Sequence, residues 1–167
     1  MKPKVYITRK IPRKALDMIS EVAEMKLWTG ELSIPGETLL EQVKDISGLL
    51  CLLSDRVNAV IMEAAPQLKV ISNCAAGFDN IDIAEATKRC IPVGNTPGVL
   101  SETTADFSFA LLMAAAMRVV EADKYTRSGL WQVPWEPMLL LGKDIHHSTL
   151  GIVDLGRIGT KVARRAK

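Results

Sequence analysis

The chain alternates short apolar runs with longer stretches in which apolar side chains recur at helical spacing. The apolar runs predict β-strands at residues 5–8, 25–28, 48–53, 68–74 and 91–94. The stretches between them predict helices at residues 12–22, 37–43, 59–65 and 83–89. Because strand and helix alternate, the first hundred residues predict an α/β fold, an open and mostly parallel sheet with helices on both faces.

The pattern changes after Gly98. Ser101 or Thr103 can cap a long helix that continues to about Gly129, and the first half of this helix is apolar on nearly all sides. Such a helix must be covered by other structure. An irregular arm with two tryptophans and the apolar run 138–141 follows, and this composition is typical of a surface that binds a partner.

The last twenty residues have a pattern of their own. The apolar run 150–153 predicts a strand, which leads into a glycine turn and then into a basic helix. This order of strand, glycine turn and helix begins a dinucleotide-binding βαβ unit, in which the diphosphate lies at the N-terminus of the helix.

Composition and charge exclude several classes of protein. With 167 residues, 48% of them hydrophobic, the chain can form one complete domain and part of another. Its net charge of +2 is too small to indicate a nucleic-acid binder. The N-terminus lacks the apolar core of a signal peptide, and the most apolar helix candidate, residues 107–117, is shorter than the roughly 20 residues that span a bilayer. We therefore expect a cytoplasmic protein that does not associate with membranes.

The cysteines and histidines do not indicate a metal site. Cys51, Cys74 and Cys90 are odd in number and match no zinc spacing. Cys51 and Cys74 lie in apolar runs, so we expect both to be buried free thiols. His146 and His147 lie in the irregular arm, where we expect them on the surface.

Three loops are candidates for chemistry because each follows a predicted strand. In open α/β sheets, ligands bind outside the carboxyl ends of the strands. The loops in that position are residues 54–56, 75–79 and 95–98. Asp79, Asn80 and Asp82 are expected to shape the second turn and to cap the next helix rather than to take part in chemistry.

Four segments in a fixed order resemble the D-2-hydroxyacid dehydrogenase family. They are AAGFDNID (75–82), NTPGVLSETTADF (95–107), the long helix, and TLGIVDLGRIG (149–159). The segments KPKVYITRKIP and EADKYTRSGLW make the chain most similar to the glyoxylate and hydroxypyruvate reductases of that family. The resemblance implies a flavodoxin-like, doubly wound substrate domain at residues 1–98, an interdomain helix and dimerisation arm at 99–147, and the start of a Rossmann NAD(P)-binding domain at 148–167.

The resemblance also implies an activity, the reduction of a 2-keto acid by NADH or NADPH, and a homodimer formed through residues 100–145. The substrate carboxylate would be bound by the backbone amides of Ala76 and Gly77, and Ser54 would flank the substrate. Successive N–H groups do form anion-binding concavities, and glycine permits close approach. The resemblance assigns the cofactor to Thr104 and to the turn and helix start, which comprise Leu155, Gly156, Arg157, Ile158 and Gly159.

The sequence departs from the family pattern in two respects. Asp154 replaces the first glycine of the Gly-x-Gly-x-x-Gly fingerprint, and a carboxylate there would cost a few kcal/mol of cofactor affinity if it could not turn away from the phosphates. The arginine, histidine and carboxylate that perform catalysis in the family come from its second half and have no counterpart here. We assign no catalytic residue, and we expect these 167 residues alone to be inactive.

Three interpretations remain open on the sequence. The chain is the N-terminal part of a 2-hydroxyacid dehydrogenase, or a non-catalytic dimerising or regulatory module with the same fold. The third interpretation is a receiver-like module with Asp55 or Asp79 as its phosphate acceptor. No acidic pair follows the first strand, which disfavours this last interpretation.

Overall fold

The structure, a computed structural model, describes residues 2–167 and divides them into two compact units between Pro97 and Gly98. The five strands of the first unit are β1 (Lys4–Ile7), β2 (Glu24–Leu27), β3 (Gly48–Cys51), β4 (Val70–Asn73) and β5 (Val93–Gly94). Its four helices are α1 (Arg13–Val22), α2 (Gly36–Gln42), α3 (Ala59–Ala64) and α4 (Ile83–Lys88). Every strand and helix predicted in this unit is therefore confirmed, with small shifts at the ends.

The strands form one parallel sheet in the order β2-β1-β3-β4-β5. This order confirms the predicted flavodoxin-like, doubly wound fold. The chain moves from β1 to β2 in one direction and then from β2 through β5 in the other. Because parallel crossovers are right-handed, α1 covers one face of the sheet, and α2, α3 and α4 cover the opposite face. The direction changes between β1 and β3, which is where open α/β sheets form their ligand crevice.

The core of the first unit lies between the sheet and the layer of α2, α3 and α4. The sheet contributes Leu49, Cys51 and Ile71, and the helical layer contributes Leu39, Ile61, Met62 and, directly after α2, Val43. Gly48 lies in the middle of this sheet, where a Cβ would press against the Val5 side chain at 3.2 Å. Strand β3 is buried almost throughout, as is typical of a central strand in a parallel sheet. Strand β4 alternates between exposed and buried positions, so one face of the sheet is open there.

The second unit begins with two helices where the sequence predicted one. They are α5 (Ser101–Ala116) and α6 (Val119–Arg127), and they are bent by 61°. Arg118 lies between them with a left-handed φ of 53°, which interrupts the helical hydrogen bonds. The residue before α5 is Leu100, which makes no side-chain cap, so the predicted caps are wrong: both Ser101 and Thr103 already lie inside the helix.

The predicted strand at residues 150–153 is absent, and this prediction is wrong. The segment has no regular structure, and the glycine turn after it leads into α7 (Arg157–Arg165), as predicted. A strand exists only when its N–H and C=O groups pair with a neighbouring strand, and no segment of residues 2–167 pairs with this one. The apolar residues define a possible strand, but a partner strand is needed to form it.

Large apolar side chains of α5 and the arm are exposed in the described part of the chain. Phe107 and Leu111 of α5 are more than half exposed, and so are Trp131, Trp135 and Met138 of the arm. No single helix of residues 2–167 has the length and apolarity to span a bilayer; α5 and α6 meet that criterion only when joined across their bend.

Candidate functional site

The loop that follows β4, residues 74–80, presents a row of open backbone N–H groups. We call it the cradle loop. Within residues 2–167, the N–H groups of Ala76, Gly77 and Phe78 donate to no protein acceptor. Ala76 and Phe78 are exposed and Gly77 is half-buried, so a ligand can reach this part of the loop from solvent. Adjacent open N–H groups can bind an anion such as a carboxylate.

Side chains fix the orientation of the cradle loop by binding its carbonyl oxygens. The buried amide of Asn73 donates from Nδ2 to the Gly77 oxygen at 2.9 Å, and Asn95 Nδ2 donates to the Ala76 oxygen at 2.8 Å. The Thr96 N–H donates to the Ala75 oxygen at 2.8 Å. With three successive carbonyl groups held by the protein, the N–H groups remain available for a ligand.

A buried carboxylate lies at the point where the sheet changes direction. Asp55 is only 3% exposed, and it accepts hydrogen bonds from Thr8 Oγ1 and, at 2.8 Å, from the Leu52 N–H. The hydroxyl of the exposed Ser54 donates to Asp55 Oδ1 at 3.3 Å. Buried carboxylates are stable only when they are hydrogen-bonded in this way. Asp55 thus fixes the loop after β3 and sets the position of Ser54.

Asn80 connects this loop to the cradle loop. Its Nδ2 donates to the backbone oxygens of Leu52 and Asp55, both at 3.0 Å, and its Oδ1 accepts from Asn73 Nδ2 at 2.9 Å. Asn73 in turn binds Gly77, so one chain of hydrogen bonds runs between the two loops. The structure therefore brings Ser54, Ala76 and Gly77 onto a single connected framework.

The sequence analysis missed the role of Asn73 and understated that of Asn80. A signal for Asn73 was present, because a buried strand that carries an asparagine needs hydrogen-bond partners for it. Asp82 behaves as predicted: it caps α4 by accepting from the Glu85 N–H at 2.9 Å. Asp55 is buried and its carboxylate accepts several hydrogen bonds, an arrangement that does not suit the phosphate acceptor of a receiver-like module.

The glycine turn before α7 is the candidate cofactor site. Asp154 has a left-handed φ of 70°, and its Oδ1 accepts from the Gly156 N–H at 3.0 Å. A Cβ at Gly159 would overlap the backbone oxygen of Asp154, so the third glycine of the fingerprint is sterically required. In the described chain the first N–H groups of α7, those of Arg157, Ile158 and Gly159, have no acceptor, as expected at a helix start.

A cavity of about 410 Å³ opens beside this turn, within the second unit. Its lining includes Leu155, Gly156 and Arg157 of the turn together with Ser101 of α5. Thr104 does not line the cavity, and neither do Ile158 and Gly159. The backbone of the turn fits a diphosphate group, whereas the carboxylate of Asp154 opposes one.

Ion pairs hold α7 against α5. Lys161 pairs with Glu102, while Arg165 binds both Glu102 and Asp106. The hydrogen bonds from Lys161 and Arg165 lower the pKa of Glu102, and those from Asp106 and Glu102 raise the pKa of Arg165. This network positions the glycine turn relative to the start of α5.

The burial of the cysteine side chains agrees with the prediction at Cys51 but not at Cys74. Cys51 is fully buried, and burial is the main reason that its pKa rises to about 12. Cys74 is exposed, so the prediction that it is buried is wrong: it follows Asn73 on the outward-facing side of the β4 alternation.

No group of three or more potential ligands for a metal occurs in the described part of the chain. His146 lies on the surface.

Comparison with known proteins identifies the family. A family model for the catalytic domain of D-isomer specific 2-hydroxyacid dehydrogenases matches residues 5–164. The chain belongs to this family. It is 56% identical over 167 residues to a glyoxylate reductase of Korarchaeum cryptofilum, covering 100% of this chain and 50% of that protein.

Two solved structures share the fold. The TT0316 protein from Thermus thermophilus is 46% identical, with a TM-score of 0.92, and the match covers 98% of this chain and 52% of that one. An NADPH-dependent glyoxylate/hydroxypyruvate reductase from Sinorhizobium meliloti, in complex with NADP and malonate, is 27% identical with a TM-score of 0.74, covering 99% of this chain and 50% of that one. The chain thus spans about half the length of the relatives that it matches.

Proposed function

We propose that these residues form the substrate-binding part of an enzyme that reduces a 2-keto acid, such as glyoxylate or hydroxypyruvate, with NADH or NADPH. The observation that carries this proposal is the cradle loop, whose N–H groups are open while its carbonyl oxygens are held by side chains. The family membership supports it, and so do the relatives named glyoxylate reductase.

The chemistry of the cradle loop suits a carboxylate. The N–H groups of Ala76 and Gly77 would each donate to a carboxylate oxygen, and Ser54 would lie at the flank of the substrate. Hydrogen bonds to a charged acceptor contribute about 1.5–3 kcal/mol each, so two contribute about 3–6 kcal/mol, a range that includes the roughly 4 kcal/mol of millimolar binding. A nicotinamide dinucleotide, when bound, would supply the hydride.

We further propose that the polypeptide of residues 1–167 does not turn over substrate by itself. The family resemblance assigns orientation of the keto acid to an arginine and proton donation to a histidine held by a carboxylate, and none of these matches a position here. Loss of a general acid alone costs about 10²–10⁴-fold. Oxidation of NADH or NADPH with glyoxylate should equal the rate without protein, and a higher rate would refute this part of the proposal.

Carboxylate binding can be tested directly on the chain by NMR. Malonate added to the ¹⁵N-labelled protein should shift the amide resonances of Ala76, Gly77 and Phe78. Malonamide has the same size but no charge, and it should leave them unchanged. Equal responses to both compounds, or shifts that avoid residues 76–78, would contradict the assignment.

We also propose that the chain forms a homodimer through residues 100–145. Trp135 and Met138 of the arm are 77% and 76% exposed, and Phe107 and Leu111 of α5 are 65% and 55% exposed. Clusters of large exposed apolar side chains in this number mark protein interfaces. A dimer that bound no carboxylate would favour the alternative function, a non-catalytic dimerising or regulatory module.

Sedimentation at micromolar concentration tests the dimer. Leu111→Glu introduces a charge into the apolar face of α5 and should give a monomer. Leu32→Glu is the matched control, because Leu32 is 81% exposed but lies outside residues 100–145. A wild-type monomer, or dissociation caused equally by both substitutions, would refute the proposed interface.

A further inference from the structure

Position 154 keeps the backbone shape of a dinucleotide-binding turn without the glycine. The first glycine of that fingerprint makes a tight turn. Asp154 makes the turn with a φ of 70°, a left-handed conformation that aspartate tolerates better than most residues. Replacement of the glycine has therefore not removed the turn, and any effect on ligand binding must come from the added side chain.

The added side chain is directed into the turn. Asp154 Oδ1 accepts from the Gly156 N–H at 3.0 Å. A Cβ placed on Gly156 would lie 3.3 Å from the same oxygen, so the carboxylate lies against the backbone surface that the second glycine leaves clear. That surface is where the diphosphate of a dinucleotide approaches.

We propose that the Asp154 carboxylate occupies the diphosphate position of this turn and competes with the diphosphate of a bound dinucleotide. The carboxylate accepts a hydrogen bond from the Gly156 N–H, which would otherwise donate to the diphosphate. Its negative charge would also lie next to the negatively charged phosphates of a bound dinucleotide. The inference rests on the dinucleotide part of the proposed function. The carboxylate must be displaced before a dinucleotide can make its full set of hydrogen bonds.

The charged residues around the turn show why the Asp154 carboxylate would affect diphosphate binding. Arg157 and Arg164 line the adjacent cavity and form no ion pair within residues 2–167, whereas Lys161 is paired with Glu102. The cavity therefore attracts anions, and the Asp154 carboxylate lies beside it, against Gly156 of its lining. Since a hydrogen bond to a charged group contributes about 1.5–3 kcal/mol, competition for the Gly156 N–H should weaken diphosphate binding about 10- to 100-fold.

Three variants of the whole 167-residue chain test the inference, with inorganic pyrophosphate as the probe. Asp154→Gly removes the competitor and suits the left-handed φ, so it should fold and bind pyrophosphate about 10- to 100-fold more tightly than the wild type. Asp154→Asn removes the charge but keeps an acceptor oxygen, and its affinity should be intermediate. Asp144→Asn changes the net charge by the same amount at an exposed site, and it should leave the affinity unchanged.

Amide shifts of Gly156 and Arg157 during the titration report the affinity and the place of binding. Equal affinities of Asp154→Gly and the wild type would overturn the inference, and so would an equal gain from Asp144→Asn. The malonate titration of the cradle loop separates this failure from failure of the proposed function. If malonate binds at residues 76–78 but Asp154→Gly gains nothing, only the role of Asp154 is wrong.

Discussion

Replacing Asn80 with alanine tests whether the hydrogen bonds between the two loops stabilise the first unit. The side chain of Asn80 donates to the backbone oxygens of Leu52 and Asp55 and accepts from Asn73 Nδ2. Alanine removes these bonds and a longer one from Asn80 Nδ2 to Asn73 Oδ1. The Asp55 oxygen and one Asn73 amide hydrogen lose their partner, while the Leu52 oxygen keeps only the Asp55 N–H. The carbonyl groups of the cradle loop would still be bound by Asn73, Asn95 and Thr96, but the loop would no longer be connected through Asn80 to the loop after β3.

The three shorter bonds measure 3.0, 3.0 and 2.9 Å, which are ordinary lengths for amide hydrogen bonds. Each contributes about 1 kcal/mol net, so Asn80→Ala should lower the free energy of unfolding by about 3 kcal/mol. Small domains are stable by only about 5–15 kcal/mol, and the melting temperature should fall by at least about 10 °C. Asn80→Asp should be still worse, because a carboxylate would face the two carbonyl oxygens.

Asn95→Ala is the matched control for this prediction. It is the same chemical change and it also takes a side-chain donor from a backbone carbonyl, but it removes only one exposed hydrogen bond, from Asn95 Nδ2 to the Ala76 oxygen. Urea denaturation followed by far-ultraviolet circular dichroism should show a loss of about 1 kcal/mol or less. If Asn80→Ala destabilised the protein no more than Asn95→Ala, the connected framework would not be what holds the loops.

Other substitutions and conditions test further parts of the structure. Gly77→Ala should leave the melting temperature within a few degrees of the wild type, because its φ is not left-handed and the nearest atom to a new Cβ is 3.7 Å away. Gly159→Ala should lower it markedly, since the Cβ would overlap a backbone oxygen, and thermal melts of the two variants would check both. At pH 8, a thiol reagent should modify the exposed Cys74 in the native protein, while Cys51, with a pKa of about 12, should react only after unfolding. The lowered pKa of Glu102 stabilises the packing of α5 and α7 above its unfolded pKa of 4.5, and this contribution should be lost as the pH falls below that value. The protection factors of the α7 amides, which correct for the slower intrinsic exchange in acid, should therefore fall, and unchanged protection at pH 3 would contradict the pairing.

Local pattern was sufficient to predict the first unit. Its strands and helices are short and strongly periodic, and consecutive strands other than β2 and β3 are neighbours in the sheet. The parallel sheet then follows from the handedness of its connections. The hydrogen bonds between the loops could not be predicted in the same way, because the backbone partners of Asn80 lie 25 and 28 residues away in sequence.

The wrong predictions share a physical cause. Each concerns a feature that depends on the conformation of one residue or on a contact with a distant part of the chain. The break between α5 and α6 depends on the left-handed conformation of Arg118, a residue that gives no such signal. Residues 150–153 have the composition of a strand but no neighbouring strand to pair with in the described chain. The exposure of Cys74 depends on the alternation along β4, which the prediction of an apolar strand over residues 68–74 did not take into account.

Both candidate anion sites consist of backbone N–H groups, which are open in the cradle loop but partly occupied in the glycine turn. In the cradle loop, Asn73 and Asn95 bind carbonyl oxygens, which leaves the N–H groups open to a ligand. In the glycine turn, Asp154 binds an N–H group itself, which closes part of that site. A backbone amide serves as an anion site only if nearby side chains do not satisfy it first. We therefore expect malonate to bind the cradle loop of the wild type, whereas pyrophosphate binds the turn well only after Asp154→Gly, and a wild type that bound both equally well would contradict this reasoning.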